Sequence, residues 1–173
     1  MNENEISRLV ESVLNSMGDK APEKEQHKCT CVRNVTLKMA KALAVKVEEK
    51  AKEIGVKAVV AVSNSAGRPV LVECMDDSYI ASYDVAFNKA YTVVALKMST
   101  STLKPLSQPN GPLYGIQFTN NGQIVIFGGG EPLVYNDCII GGLGVSGGSE
   151  EQDTFLASYG ASVFADVVKE FKK

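Results

Sequence analysis

The segment from Cys138 to Gly148 reads Cys-Ile-Ile-Gly-Gly-Leu-Gly-Val-Ser-Gly-Gly, a strand pattern that gives way to glycine just before a helix opens at Ser149. Gly142, Gly144 and Gly147 match the G-x-G-x-x-G spacing of a dinucleotide loop, whose glycines let a pyrophosphate approach a helix N-terminus. The rest of the chain argues against that use. One helix remains after Gly148, so no β-α-β unit can be completed and no later strand can carry an acidic ribose-binding residue. Glu150 and Glu151 put negative charge where a phosphate would have to sit. Two other uses stay open. The glycines either bring the strand and the last helix into close packing, or give a turn its φ > 0, or they line a pocket for a flat or small ligand.

The periodicity around this segment sets the fold class. Leu37, Ala40, Leu43, Ala44, Val47, Ala51 and Ile54 form one helical stripe, with Asn34 or Thr36 as cap and Gly55 as stop. Lys57–Ser63 and Pro69–Met75 flank the turn-rich Asn64 to Arg68 and predict an antiparallel hairpin. A helix follows over about Ile80–Met98, with Tyr83, Phe87, Ala90, Tyr91, Val94 and Met98 on one side. Residues 99–121 hold three prolines and read as a long connection with a short helix at Thr100–Leu106. Strands are expected at Gly122–Phe127, Leu133–Tyr135 and Cys138–Val145. The last helix starts at Ser149, which forms a capping box with Gln152, and Leu156, Tyr159, Val163, Phe164, Val167 and Phe171 mark its buried face. The order α-β-β-α-β-β-β-α, with hairpins outnumbering crossovers, predicts an α+β architecture built on an antiparallel five-stranded sheet flanked by helices.

Ahead of this domain, Ile6, Leu9, Val10, Val13, Leu14 and Met17 lie on one continuous helical stripe. Residues 1–18 therefore read as an amphipathic helix, 19–33 as a flexible linker and 34–173 as the main domain. So short a helix is marginal alone in water, and its stripe needs a surface, either a partner's or that of its own domain. Composition narrows the function classes. A net charge of -2, with 45% hydrophobic and 22% charged residues, gives no support for nucleic-acid or polybasic membrane contact. No apolar run approaches the ~18 residues of a membrane span. The N-terminus is too acidic for a secretory signal, so the four cysteines are expected as reduced thiols in the cytoplasm.

Four segments, in order and suitably spaced, resemble the GlcG/HbpS family, which includes the C-terminal domain of PduO-type proteins. They are Val62–Arg68, Ser82–Thr92, Gly128–Leu133 and Gly141–Gly148 followed by Asp153. Asn64 departs from the pattern by standing where an Asp is usual, which removes a charge. The resemblance implies a profilin-like antiparallel sheet, a homo-oligomer, and haem or tetrapyrrole binding for several members without an established reaction. Residues 1–18 also resemble the encapsulation peptides that direct cargo into bacterial microcompartments, where PduO-type proteins occur. That implies a shell or cargo protein as partner, docked through the apolar stripe, and a microcompartment lumen as location.

Chemistry-bearing residues are few. His27 is the only histidine and sits in His27-Lys28-Cys29-Thr30-Cys31. Imidazole and thiolate are both competent axial ligands of haem iron, and residues i and i+2 of an extended segment point the same way. His27, Cys29 and Cys31 are thus candidates for haem, with His27 and Cys29 candidates for another metal. A redox disulfide and an incidental grouping in a linker stay open beside these. Cys74 and Cys138 are expected as small buried hydrophobes. Asp76-Asp77 and Glu150-Glu151 read as loop and helix-start charges, and Asp84 is a candidate partner for Lys89. No catalytic triad emerges. The expected function is a haem- or tetrapyrrole-binding accessory or redox-sensing protein. A cargo scaffold without cofactor, or an enzyme acting on a small hydroxy acid or aldehyde, are the alternatives.

Overall fold

The computed structural model describes residues 32–171. The helix expected at 1–18, and all but the last two residues of the linker expected at 19–33, lie outside them. Helix α1 spans Leu37–Glu53, capped by Thr36, whose hydroxyl accepts the Met39 N–H. Gly55, at φ +71°, turns the chain out of the helix. Strands β1 (Val59–Asn64) and β2 (Pro69–Cys74) form the predicted hairpin. The Asn64 Oδ1 closes its turn by accepting the N–H groups of Ala66 and Arg68, a task an amide performs as well as the usual carboxylate. Helices α2 (Ile80–Ala95) and α3 (Thr100–Leu106) follow, then β3 (Gly130–Tyr135), β4 (Cys138–Ser146) and α4 (Glu150–Glu170). The capping box of Ser149 and Gln152 is present at the start of α4.

The sheet has four strands in the order β2-β1-β4-β3, all neighbours antiparallel. The expected fifth strand, Gly122–Phe127, is absent. Its start is taken up by a tight turn over Asn120–Gly122, and the Val125 N–H is spent on the Thr92 hydroxyl of α2 instead of a neighbouring strand. Ile124 is still buried, so the apolar run serves the core without pairing.

Alternation along the strands splits the core into two layers. Val60, Val62, Leu143 and Val145 join Leu43, Val47, Leu156 and Phe164 of α1 and α4 on one face. Val59 and Ala61 meet Ala86 and Ala90 of α2 on the other. The face α2 turns inward is therefore Ser82, Ala86, Lys89, Ala90 and Val93, which corrects the expected aromatic stripe. Tyr83 is 49% exposed. The reason lies in β4: a Cβ on Gly142 would come within 2.3 Å of the Ala90 carbonyl oxygen, and one on Gly144 within 2.0 Å of that of Ala86. The glycines thus serve close packing, but with α2 and not with the last helix. Only small side chains fit on the helix at that separation. Gly144→Ala is expected to cost the upper end of the ~1–3 kcal/mol typical of overpacking, read as a lower urea midpoint at unchanged slope.

Candidate functional site

Laying α2 on β4 carries Lys89 into the interior, where its side chain is 0% exposed. Its Nζ donates to the Val145 carbonyl at 2.8 Å and to Asp153 Oδ2 at 2.9 Å, and lies 4.9 Å from the centre of the Phe127 ring. Asp153 stands in the first turn of α4, and its other oxygen accepts the Gly148 N–H at 3.0 Å. An unpaired buried ammonium or carboxylate would be costly, and here each satisfies the other. Burial holds the Lys89 ammonium below the ordinary lysine value, and the charge of Asp153, its hydrogen bond and the charge of Glu150 oppose that shift.

The turn Gly128–Gly130 closes over this pair. A Cβ on Gly129 would meet Lys89 Nζ at 2.6 Å, so backbone alone fits there. Glu150 Oε1 accepts the Gly128 N–H at 2.8 Å while its Oε2 accepts Lys104 Nζ at 2.6 Å. These two bonds, that of Lys104 first, hold the Glu150 carboxyl below the ordinary carboxylate value. Thr100 Oγ1 accepts the Gly130 N–H at 2.9 Å. The turn is thereby clamped between α3 and α4. Closed to solvent and bonded to Val145 and Asp153, Lys89 organises this end of the domain.

The open surface lies on the other side of the β4 terminus. A groove of about 520 Å³ runs between the end of α1 and the end of β2, lined among others by Glu48, Lys52, Lys57, Cys74 and Met75. It continues past the Lys57–Asp77 ion pair (2.6 Å) into a second depression of about 630 Å³, bordered by Tyr79, Gly147, Gly148 and Gln152. Glu48 is pushed above the ordinary carboxylate value by burial and by the neighbouring Glu73. Gly147 and Gly148 thus border a cavity, while Gly142 and Gly144 serve packing against α2 in place of the expected last helix.

His27, Cys29 and Cys31 lie outside the described residues, as do Ile6, Leu9, Val10, Val13, Leu14 and Met17. Among the described residues no three His, Cys, Asp or Glu side chains converge on a metal position. Cys74 is a free, exposed thiol in the groove, which corrects its expected burial. Cys138 is half-buried and held in a disulfide, against the expectation of reduced thiols. The partner of Lys89 is Asp153 and not Asp84, which is exposed. A signal for the pair was present: Lys89 shares the spacing of Ser82, Ala86, Ala90 and Val93, and a lysine on that face needs a buried counter-charge.

Fold and clamp define a class: a helix-flanked antiparallel α+β domain whose last helix supplies the counter-ion of a buried lysine. The chain belongs to the HbpS-like family, whose model, described as "Haem degrading protein HbpS-like", matches residues 35–162. It is 43% identical over 136 residues to an uncharacterized 15.0 kDa protein in the dhaT-dhaS intergenic region of Citrobacter freundii, covering 79% of this chain and 96% of that one. It is 39% identical over 109 residues to the corrinoid adenosyltransferase PduO of Salmonella typhimurium, covering 63% of this chain and only 32% of PduO. Among solved structures, Klebsiella pneumoniae protein ORFY is similar at a TM-score of 0.76 and 40% identity, covering 80% of this chain and 95% of ORFY. A PduOC:heme complex is similar at a TM-score of 0.72 and 34% identity, covering 75% and 94%.

Asp153→Asn and Lys89→Met each leave a charge or polar group stranded and are expected to cost about 3–5 kcal/mol in chemical denaturation. Lys89→Met with Asp153→Leu is expected to cost less than the sum, giving a coupling energy in a double-mutant cycle. The unfolded chain binds the Lys89 proton more tightly than the folded one. Stability therefore rises with pH between the folded value and the ordinary lysine value, and Lys89→Met flattens that rise.

Proposed function

We propose that the chain binds haem or a related tetrapyrrole and acts as an accessory or redox-sensing protein, packaged as cargo of a bacterial microcompartment. The likeness to the solved PduOC:heme complex carries this reading, and the family description supports it. The donor chemistry fits. A bound haem supplies a redox-active iron, which imidazole or thiolate can ligate, and propionates, which ammonium groups can pair. His27, the sole histidine, and Cys29 with Cys31 supply the first kind of group. The groove offers the exposed Cys74 thiol, with exposed Lys52 supplying the second kind. In this reading His27 holds the iron, whichever of Cys29 and Cys31 is left as a free thiol is its alternative, and the protein is a homo-oligomer.

Titrating haemin into the purified protein tests the binding: a Soret shift is expected, and its absence sinks the haem reading in favour of a cofactor-free cargo module. His27→Ala is expected to weaken the complex by about tenfold or more, and an unchanged titration removes His27 as ligand.

The cargo reading rests on residues 1–18, on their likeness to encapsulation peptides, and on the relation to PduO. Their apolar stripe is the surface that docks on a shell or cargo protein. A fluorescent fusion lacking residues 1–20 is expected to become diffuse in cells that assemble microcompartments. Unchanged localisation would refute the targeting role.

A further inference from the structure

An apolar groove of about 750 Å³ lies where the ends of the domain meet, lined by Thr36, Leu37, Lys38 and Met39 of α1 and Glu170 and Phe171 of α4. Leu37 is 50% exposed and Phe171 41%, so two large apolar side chains face solvent at its mouth. We propose that this groove is the intramolecular seat of residues 3–17 of the same chain. The inference rests on the amphipathic reading of that segment, and neither on haem nor on the microcompartment.

Three observations select this occupant. The first is reach. The Val35 N–H is bonded to the Ile140 carbonyl at 3.0 Å, which fixes the chain beside the groove. Gly18 to Cys31 then spans up to about 45 Å when extended, so residues 3–17 can return to it. The second is chemical match: read at helical spacing the segment carries one apolar stripe, from Ile6 to Met17, and a helix so short needs an apolar surface to form. The third is charge. The start of α1 has Lys38 and Lys41 and no acidic residue in its first turn, where a helix N-terminus already favours anions. On the α4 side Lys169 is paired with Asp166 and the rim residue Glu170 is acidic, so the attraction comes from the α1 side. The segment itself is acidic, with Glu3, Glu5 and Glu11 against Arg8. A seat on its own domain would keep the stripe covered until a partner competes for it.

Hydrogen exchange of the full chain, followed in residues 3–17 at two protein concentrations, tests this. The segment is expected to exchange about tenfold slower than a free peptide at both concentrations. Leu37→Glu with Phe171→Glu, at positions exposed enough to spare the fold, is expected to remove that protection. Leu9→Asp with Val13→Asp is expected to do the same. Free-peptide exchange in the parent chain overturns the proposal. So does protection that fades on dilution, which would assign the seat to a second copy, and so does protection that survives the groove variant. Cellular localisation is a separate measurement, so loss of the targeting role leaves this result standing.

Discussion

The contact between α2 and β4 sets the geometry of the whole domain. With Gly142 and Gly144 giving up their side chains and Ala86 and Ala90 offering the smallest ones, a helix lies almost on the strand backbone. Everything else on α2 follows from that depth. Lys89 cannot reach water and must be neutralised within the protein, which calls for Asp153 at the start of α4. Phe127 and the glycine turn then cover the ion pair, and Glu150 and Lys104 fasten the turn.

A consequence for function is the separation of roles along one glycine-rich run. Its first part is consumed by packing and offers nothing to a ligand. Its last part, Gly147-Gly148, borders open space next to Lys57 and Tyr79. The polar groups lining it are Lys57, Asp77 and Tyr79 from the connections on either side of the hairpin, with Ser149 and Gln152 at the start of α4, and the Gly148 N–H ties this edge to Asp153 of the buried pair.

Much of this was readable from the residues. The first and last helices were legible because their stripes follow a 3.6-residue period and their caps, Thr36 and Ser149, lie directly before them. The inward face of α2 was not, since aromatic residues at helical spacing outweigh small ones in any hydrophobic pattern. Only knowing that β4 presents glycine to this helix reverses the choice. The strand expected at Gly122–Phe127 failed for a related reason: its apolar residues are buried, yet burial needs no ladder when a threonine side chain meets the backbone N–H. Of the candidate site, the glycine turn and Asp153 were legible through the family resemblance. The groove with Cys74 was not, because it is formed by the spatial meeting of α1 and β2 ends that no local pattern records.

The ion pair between Lys89 and Asp153 joins residues 64 positions apart. During synthesis the lysine emerges long before its carboxylate, and until then its ammonium is best left in water. The contact between α2 and β4 therefore cannot mature while α4 is still within the ribosome, however complete the first hairpin is. Completion of the fold is tied to the synthesis of α4. A product stopped short of the last helix carries a charge that its own packing would have to bury, which marks it as unfinished to any factor that senses exposed, unpacked surface.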